Sequence, residues 1–158
     1  ETHRNFSMQF EQRGVQKRYG GLVIGKPLPL EASINSPIKE HHAIVGKMVT
    51  HRNGKPSQTN YIVSEQFAPY SWVLFEPITG RTHQIRVHMA SIEHSLMTDE
   101  LYNDSVTEEM RRQALHAFRL AFSHPVSGKE MEFEAVLPDD FKAALHLWDL
   151  SYNEATKK

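Results

Sequence analysis

The chain has 158 residues, 39% hydrophobic and 23% charged, with no cysteine: enough for one domain with its own core, but without disulfides or thiolate metal sites. It holds no run of about 18 apolar residues able to cross a membrane and no basic, apolar leader, so a reducing, cytoplasmic setting is expected. The net charge of −1 is unevenly spread, with 11 Lys+Arg against 6 Asp+Glu in residues 1–90 and 7 against 13 in residues 91–158, so the front half suits a polyanion such as nucleic acid.

Phe6 and Phe10 with the polar residues between them predict an amphipathic helix running to about Arg13, with Gly14 as its stop. From Gln16, "QKRYGGLVIG" reads as a strand with Tyr19, Gly21 and Val23 on one face and Arg18, Leu22 and Ile24 near the other. "SINSPIKEHHAIVG" reads as a loop-rich connection. Three strands then follow, "KMVTHR" closed by "NGK", "SQTNYIVSE", and "SWVLFEPI". Ile85, Met89 and Ile92 form one stripe, which predicts a helix over Thr82–Ile92. A polar stretch with a short helix around Thr107–Arg112 leads to a hairpin, "ALHAFRLAFSHP" and "KEMEFEAVL" around "VSG". Pro138 opens a last helix, "PDDFKAALHLW", with Asp139 and Asp140 at its positive end. Short strands joined by tight turns predict an α+β domain, a mostly antiparallel mixed sheet with flanking helices.

Arg86 stands out because its helical neighbours at three and four residues, Thr82, His83, Met89 and Ala90, include no acid. Met89 lies about 60° to one side of it on the helical wheel, so its stem runs beside the apolar stripe. A sheltered cation without a local anion needs a distant carboxylate or a ligand phosphate; otherwise it snorkels to water. Arg81 follows Gly80 where the chain turns into the helix. There it either grips a phosphate with the free N–H groups of the first turn or is an ordinary exposed arginine. Tyr19 follows Lys17 and Arg18, and Gly20 and Gly21 leave the strand open beside it. An aromatic among cations stacks a base while its neighbours hold the backbone, but plain surface strands share the pattern. His83 and His88 are five residues apart, about 140° around a helix, and diverge where metal ligands converge, so no metal is expected. No glycine-rich phosphate loop and no G-x-S-x-G elbow is present.

"PITGRTHQIRVHMA" closely resembles the third signature motif of the RluA-type pseudouridine synthases, which isomerise uridines in ribosomal and transfer RNA. Lys17, Tyr19 and Val23 fall on that family's K-x-Y-x-A-x-V, with Gly21 in place of the alanine. "GKPSQTNY" is similar to its G-K-x-A-x-T-x-Y, with Ser57 departing from the alanine. "QALHAFRLAFSHPVSGKEMEF" is similar to its hairpin, and "LPDDF" to its closing P-x-D-F. The resemblance implies chemistry without metal or cofactor. The target uridine is flipped out of the RNA, an aspartate attacks the nucleoside, the glycosidic bond breaks, and uracil is rotated and rejoined through carbon. In these terms Arg86 pairs with that aspartate, and Tyr19 stacks on uracil and takes part in the final proton removal. Ile85 packs beside them, and Lys17 and Arg81 support the fold or phosphates.

Two departures accompany the match. The family's nucleophile stands in H-R-L-D-x-x-T-S-G upstream of the K-x-Y strand, and the sixteen residues before Lys17 hold no such motif. "EHSLMTDELY" keeps His94, Asp99 and Tyr102 of G-H-P-I-x-G-D-x-x-Y but replaces both glycines and the proline, so no site residue is assigned within it. The expectation is therefore that residues 1–158 are one partial catalytic domain lacking the aspartate segment, inactive alone, with exposed core that a second copy of the chain covers. The alternatives are a non-catalytic RNA-binding module and, more remotely, a metal-dependent hydrolase using the histidines.

Overall fold

The computed structural model describes residues 1–11, 14–67, 69–103, 107 and 110–147. In chain order its elements are α1 (Thr2–Glu11), β1 (Gln16–Ile24), β2 (Glu31–Ile34), β3 (Ile38–Glu40), β4 (Met48–Thr50), β5 (Thr59–Phe67), β6 (Tyr70–Pro77), α2 (Gln84–Ser91), β7 (Leu115–Ser123), β8 (Glu130–Glu134) and α3 (Asp139–Leu147). Six strands form one sheet in the order β2-β5-β6-β1-β7-β8, and β3 with β4 makes a separate ribbon. Every strand pairing among the described residues is antiparallel, within the α+β class the sequence predicts.

The central strand organises both cores, because alternation sends adjacent side chains to opposite faces. Leu22 joins Trp72, Met97, Phe141 and Leu145, so α3 covers that face. Val23 joins Tyr61, Val73, Phe75, Ile85, Met89 and Leu96, so α2 covers the other. Burying side chains of this size contributes about 1.5–3 kcal/mol each, and Leu22, Val23, Met89, Leu96, Met97 and Phe141 are all 0% exposed. Gly20 and Gly21 do not leave the strand open to a ligand. A Cβ on Gly20 would lie 2.5 Å from the Trp72 ring, and one on Gly21 would lie 2.8 Å from the Ala114 carbonyl oxygen. The protein's own packing fills the space the sequence reading gave to a base.

Several boundaries differ from expectation. The connection read as loop contains the end of β2 and all of β3, strands of four and three residues, too short for period 2 to show. The middle helix begins at Gln84, not Thr82, because His83 takes a left-handed backbone with φ 55°, which ends regular helix there. In the predicted helix around Thr107–Arg112, Glu108 and Glu109 lie outside the described residues, and Met110, Arg111 and Arg112 are not helical. Arg13 and Trp148, the expected ends of the first and last helices, also lie outside the described residues. α1 is pinned to the sheet through Gln9, whose amide exchanges bonds of 2.6 and 3.1 Å with the Ser123 backbone, and through Phe6, edge-on to Phe122 at 4.9 Å.

The segment after α2 is tied down more tightly than its sequence suggests. Ile24 N–H donates to the Ser95 carbonyl at 2.9 Å and Met97 N–H to the Leu22 carbonyl at 2.8 Å. Leu96 and Met97 are therefore driven into opposite cores, and the residues that follow are held over the N-terminal half of α2.

Candidate active site

At about 100° per residue, the eight residues of α2 divide into three flanks. Ile85 and Met89 face the core. Gln84 and His88 point to a buried polar network against β5. Arg86, with His83 just before the helix, faces the segment that carries Asp99 and Tyr102. His83 and His88 thus diverge to separate partners, as their spacing predicts.

The anion that Arg86 lacks locally is Asp99. Nε donates to one carboxylate oxygen at 2.9 Å and Nη2 to the other at 2.8 Å, a bidentate geometry stronger than a single ion contact. The Asp99 side chain is 0% exposed and that of Arg86 16%, and hydrogen bonding to Asp99 raises the arginine further above its ordinary pKa. Of the two sources left open by the sequence, a distant carboxylate and a phosphate, the carboxylate is present. Both Asp99 oxygens accept from Arg86 and the carboxylate is closed to solvent, so Asp99 anchors the guanidinium. Arg86 Nη1 donates to no group among the described residues.

Tyr102 completes this cluster. The Arg86 guanidinium lies 5.2 Å from its ring centroid and Lys47 Nζ 5.5 Å, within cation–π range. Its hydroxyl accepts from Met48 N–H at 2.9 Å and meets His83 Nδ1 at 3.0 Å. When the imidazole is neutral with Nδ1 bare, the Tyr102 proton goes to His83 Nδ1. Burial, then the charge of Arg86, lowers the His83 pKa in the same sense, and burial raises that of Tyr102.

Tyr19 lies on the same sheet face as α2 and packs half-buried against the cluster containing Ile85, with its pKa raised by burial. Lys17 lies on that face too. Its Nζ is 3.1 Å from where a Gly80 Cβ would stand, so the ammonium rests against the turn into α2, and burial lowers its pKa. A hollow of about 380 Å³ opens beside these two, bounded by Ala117, Leu120, Phe133 and Ala135 of the β7–β8 side. Arg86 is not among its walls. Arg81 is less free than the sequence suggests: its N–H donates to Gln84 Oε1 at 3.1 Å and its Nε to the Pro56 carbonyl at 3.0 Å.

The sequence reading set aside Asp99 and Tyr102 because the glycines and proline around them were missing. The signal that could have kept them is the retained Asp-x-x-Tyr spacing of "TDELY". Among the described residues no group of three or more His, Asp or Glu is placed to hold a metal ion.

The chain is similar to the ribosomal large subunit pseudouridine synthase D of Nitrosomonas europaea, at 39% identity over 154 residues covering 92% of this chain and 44% of that protein. It is also similar to the synthase D of Haemophilus influenzae, at 34% identity covering 91% and 48%; the chain thus spans a little under half the length of these relatives. The solved structure of human RNA pseudouridylate synthase domain containing 1 superposes with a TM-score of 0.74 at 30% identity, covering 90% of this chain and 62% of that one. That of domain containing 4 gives 0.77 at 24% identity, covering 94% and 68%, and shows the shared fold. The family model for RNA pseudouridylate synthases matches residues 1–91, a span that includes Lys17, Tyr19, Ile85 and Arg86, and with that match and the curated relatives above this chain belongs to the RNA pseudouridylate synthase family.

Proposed function

We propose that this chain supplies the arginine and tyrosine side of an enzyme that isomerises uridine to pseudouridine in ribosomal or transfer RNA, in the cytoplasm and without a cofactor. The observation that carries the proposal is Arg86 itself. Its guanidinium is fixed on two sides by Asp99 and lies over Tyr102, while Nη1 is left for a further anion. In this reading that anion is the nucleophilic aspartate, contributed from outside the 158 residues. Tyr19 stacks on the flipped uracil, offsetting the base stacking lost when the nucleotide leaves the helix. Ile85 lines the bed, and Lys17 and Arg81 flank the phosphates. The N1–C1′ bond breaks and the C5–C1′ bond forms. C5 then loses its proton, a step in which Tyr19 takes part, and N1 gains one.

The test is tritium release from RNA labelled at uridine C5, run on the 158-residue chain and on a protein that joins it to an H-R-L-D segment. The joined protein is expected to release tritium and the chain alone none. Turnover by the chain alone would place the nucleophile within it; RNA binding without turnover by either would favour a non-catalytic binding module. The reading also includes self-association through the second sheet face. There Ile62, 47% exposed, borders a groove of about 560 Å³ with Leu74 and Phe118. A dimer by light scattering at micromolar concentration is the expected result, and a monomer counts against it.

A further inference from the structure

The buried flank of α2 carries six side-chain and backbone groups whose protons can be placed without ambiguity. The Ser36 carbonyl only accepts, so His88 Nε2, 2.8 Å away, carries the hydrogen. In a neutral ring Nδ1 is then the acceptor, and the Thr59 hydroxyl donates to it at 2.7 Å. With its one proton spent, Thr59 Oγ1 accepts from Gln84 Nε2 at 2.9 Å, and the second amide hydrogen goes to the Gln58 carbonyl at 2.8 Å. Gln84 Oε1 accepts the Thr79 hydroxyl at 2.6 Å and Arg81 N–H at 3.1 Å, and Thr79 accepts Gln58 N–H at 3.0 Å. Because the ends are backbone groups with fixed roles, the chain runs in one direction only. A second proton on His88 would aim Nδ1–H at Thr59 and leave the threonine's own proton without an acceptor.

From this geometry we infer that His88, as the neutral tautomer protonated on Nε2, is a positioning residue for Arg86. Through Thr59 and Gln84 it fixes the rotation of α2 against β5, and hence the place at which the guanidinium meets Asp99 and the reacting aspartate. The reaction side of this inference rests on the function proposed above; the structural side does not. His88 is 0% exposed, and burial lowers its pKa with no neighbouring charge contributing. The groups facing the ring are the Thr59 hydroxyl from β5, the Ser36 carbonyl from the β2–β3 turn and, through Thr59, the Gln84 amide of α2 itself, none of them charged. Arg86 and His83 lie on the other flank, against Asp99 and Tyr102, and Arg81, whose N–H donates to Gln84 Oε1, turns its guanidinium to the Pro56 carbonyl.

The experiment is ¹⁵N NMR on the 158-residue chain, as native, Thr59→Val and Thr59→Ser, far below its melting temperature. Native His88 is expected to show a protonated Nε2 and a bare Nδ1 from pH 8 to pH 6, about the range in which exposed histidines titrate. Thr59→Val is expected to speed exchange of the Arg86 Nε–H with water about tenfold, whereas Thr59→Ser keeps it within about twofold. In an active synthase carrying the same changes, Thr59→Val lowers kcat about tenfold at unchanged KM, and serine restores it. A proton on Nδ1 at neutral pH, or an Arg86 signal indifferent to Thr59→Val, overturns the inference. Absence of pseudouridine from every variant counts against the proposed function, and the Arg86 signal still decides this one.

Discussion

The two polar flanks of α2 solve opposite problems with the same eight residues. On one, the Arg86 side chain stays 16% exposed, Asp99 takes two of its donors, and Nη1 has no partner among the described residues. On the other, Gln84, His88, Thr59 and Thr79 are buried, uncharged and committed in every donor. A buried neutral network tolerates no spare proton, since an unmet donor costs about 1–3 kcal/mol. A site meant to receive an anion must keep one. In the proposed reading the neutral flank orients the helix and the charged flank meets the reacting group.

The largest expected effect breaks the charged flank. Arg86→Ala leaves the closed Asp99 carboxylate unpaired and should destabilise the chain by about 3–5 kcal/mol, read by urea unfolding. Replacing both partners, Arg86→Met with Asp99→Leu, should recover most of that loss while leaving no guanidinium at position 86. If the double variant is no more stable than the single one, the pair matters for the fold and not only for the site.

On the neutral flank Thr59→Val keeps the shape and removes the hydroxyl, so His88 Nδ1 and one Gln84 hydrogen lose their partner; about 1–3 kcal/mol is expected. The acid dependence follows from the same flank. His88 has a folded pKa below its unfolded value near 6.5, so its contribution is complete above that pH and is lost as pH falls towards the folded pKa, because the unfolded chain takes up the proton first. The slope for one such group is at most about 1.4 kcal/mol per pH unit. His83 and His116 are shifted in the same direction, so His88→Asn should flatten the thermal-melt profile below pH 6.5 without abolishing it. An unchanged profile would mean that the ring does not titrate on unfolding. The smallest effect is expected from Tyr102→Phe, which removes the hydroxyl bonds to Met48 and His83 but keeps the ring under Arg86; about 0.5–1.5 kcal/mol should appear, with the Arg86–Asp99 signals intact.

Much of this was written in local pattern. The face alternation of Tyr19, Gly21 and Val23, the stripe of Ile85, Met89 and Ile92, and the β7–β8 hairpin all follow from periods of two and 3.6 residues, and the structure keeps them. So did the argument that Arg86 has no helical neighbour to neutralise it. Strands as short as β2 and β3 escaped, because three or four residues do not establish a period and pairing decides them. Gly20 and Gly21 were misread because the bodies that fill their space, Trp72 and the Ala114 carbonyl, come from distant parts of the chain.

By itself the sequence determined that Arg86 has no acidic neighbour on its own helix and a stem beside the apolar stripe, since side-chain type and helical spacing are local properties. Only the tertiary structure decided that the anion within reach is Asp99, thirteen residues on, and that His88 turns inward to Thr59. Both depend on Leu96 and Met97 being driven into opposite cores and on β5 passing beneath the helix. Contacts of that kind are fixed by burial across the whole sheet, and no window of neighbouring residues contains them.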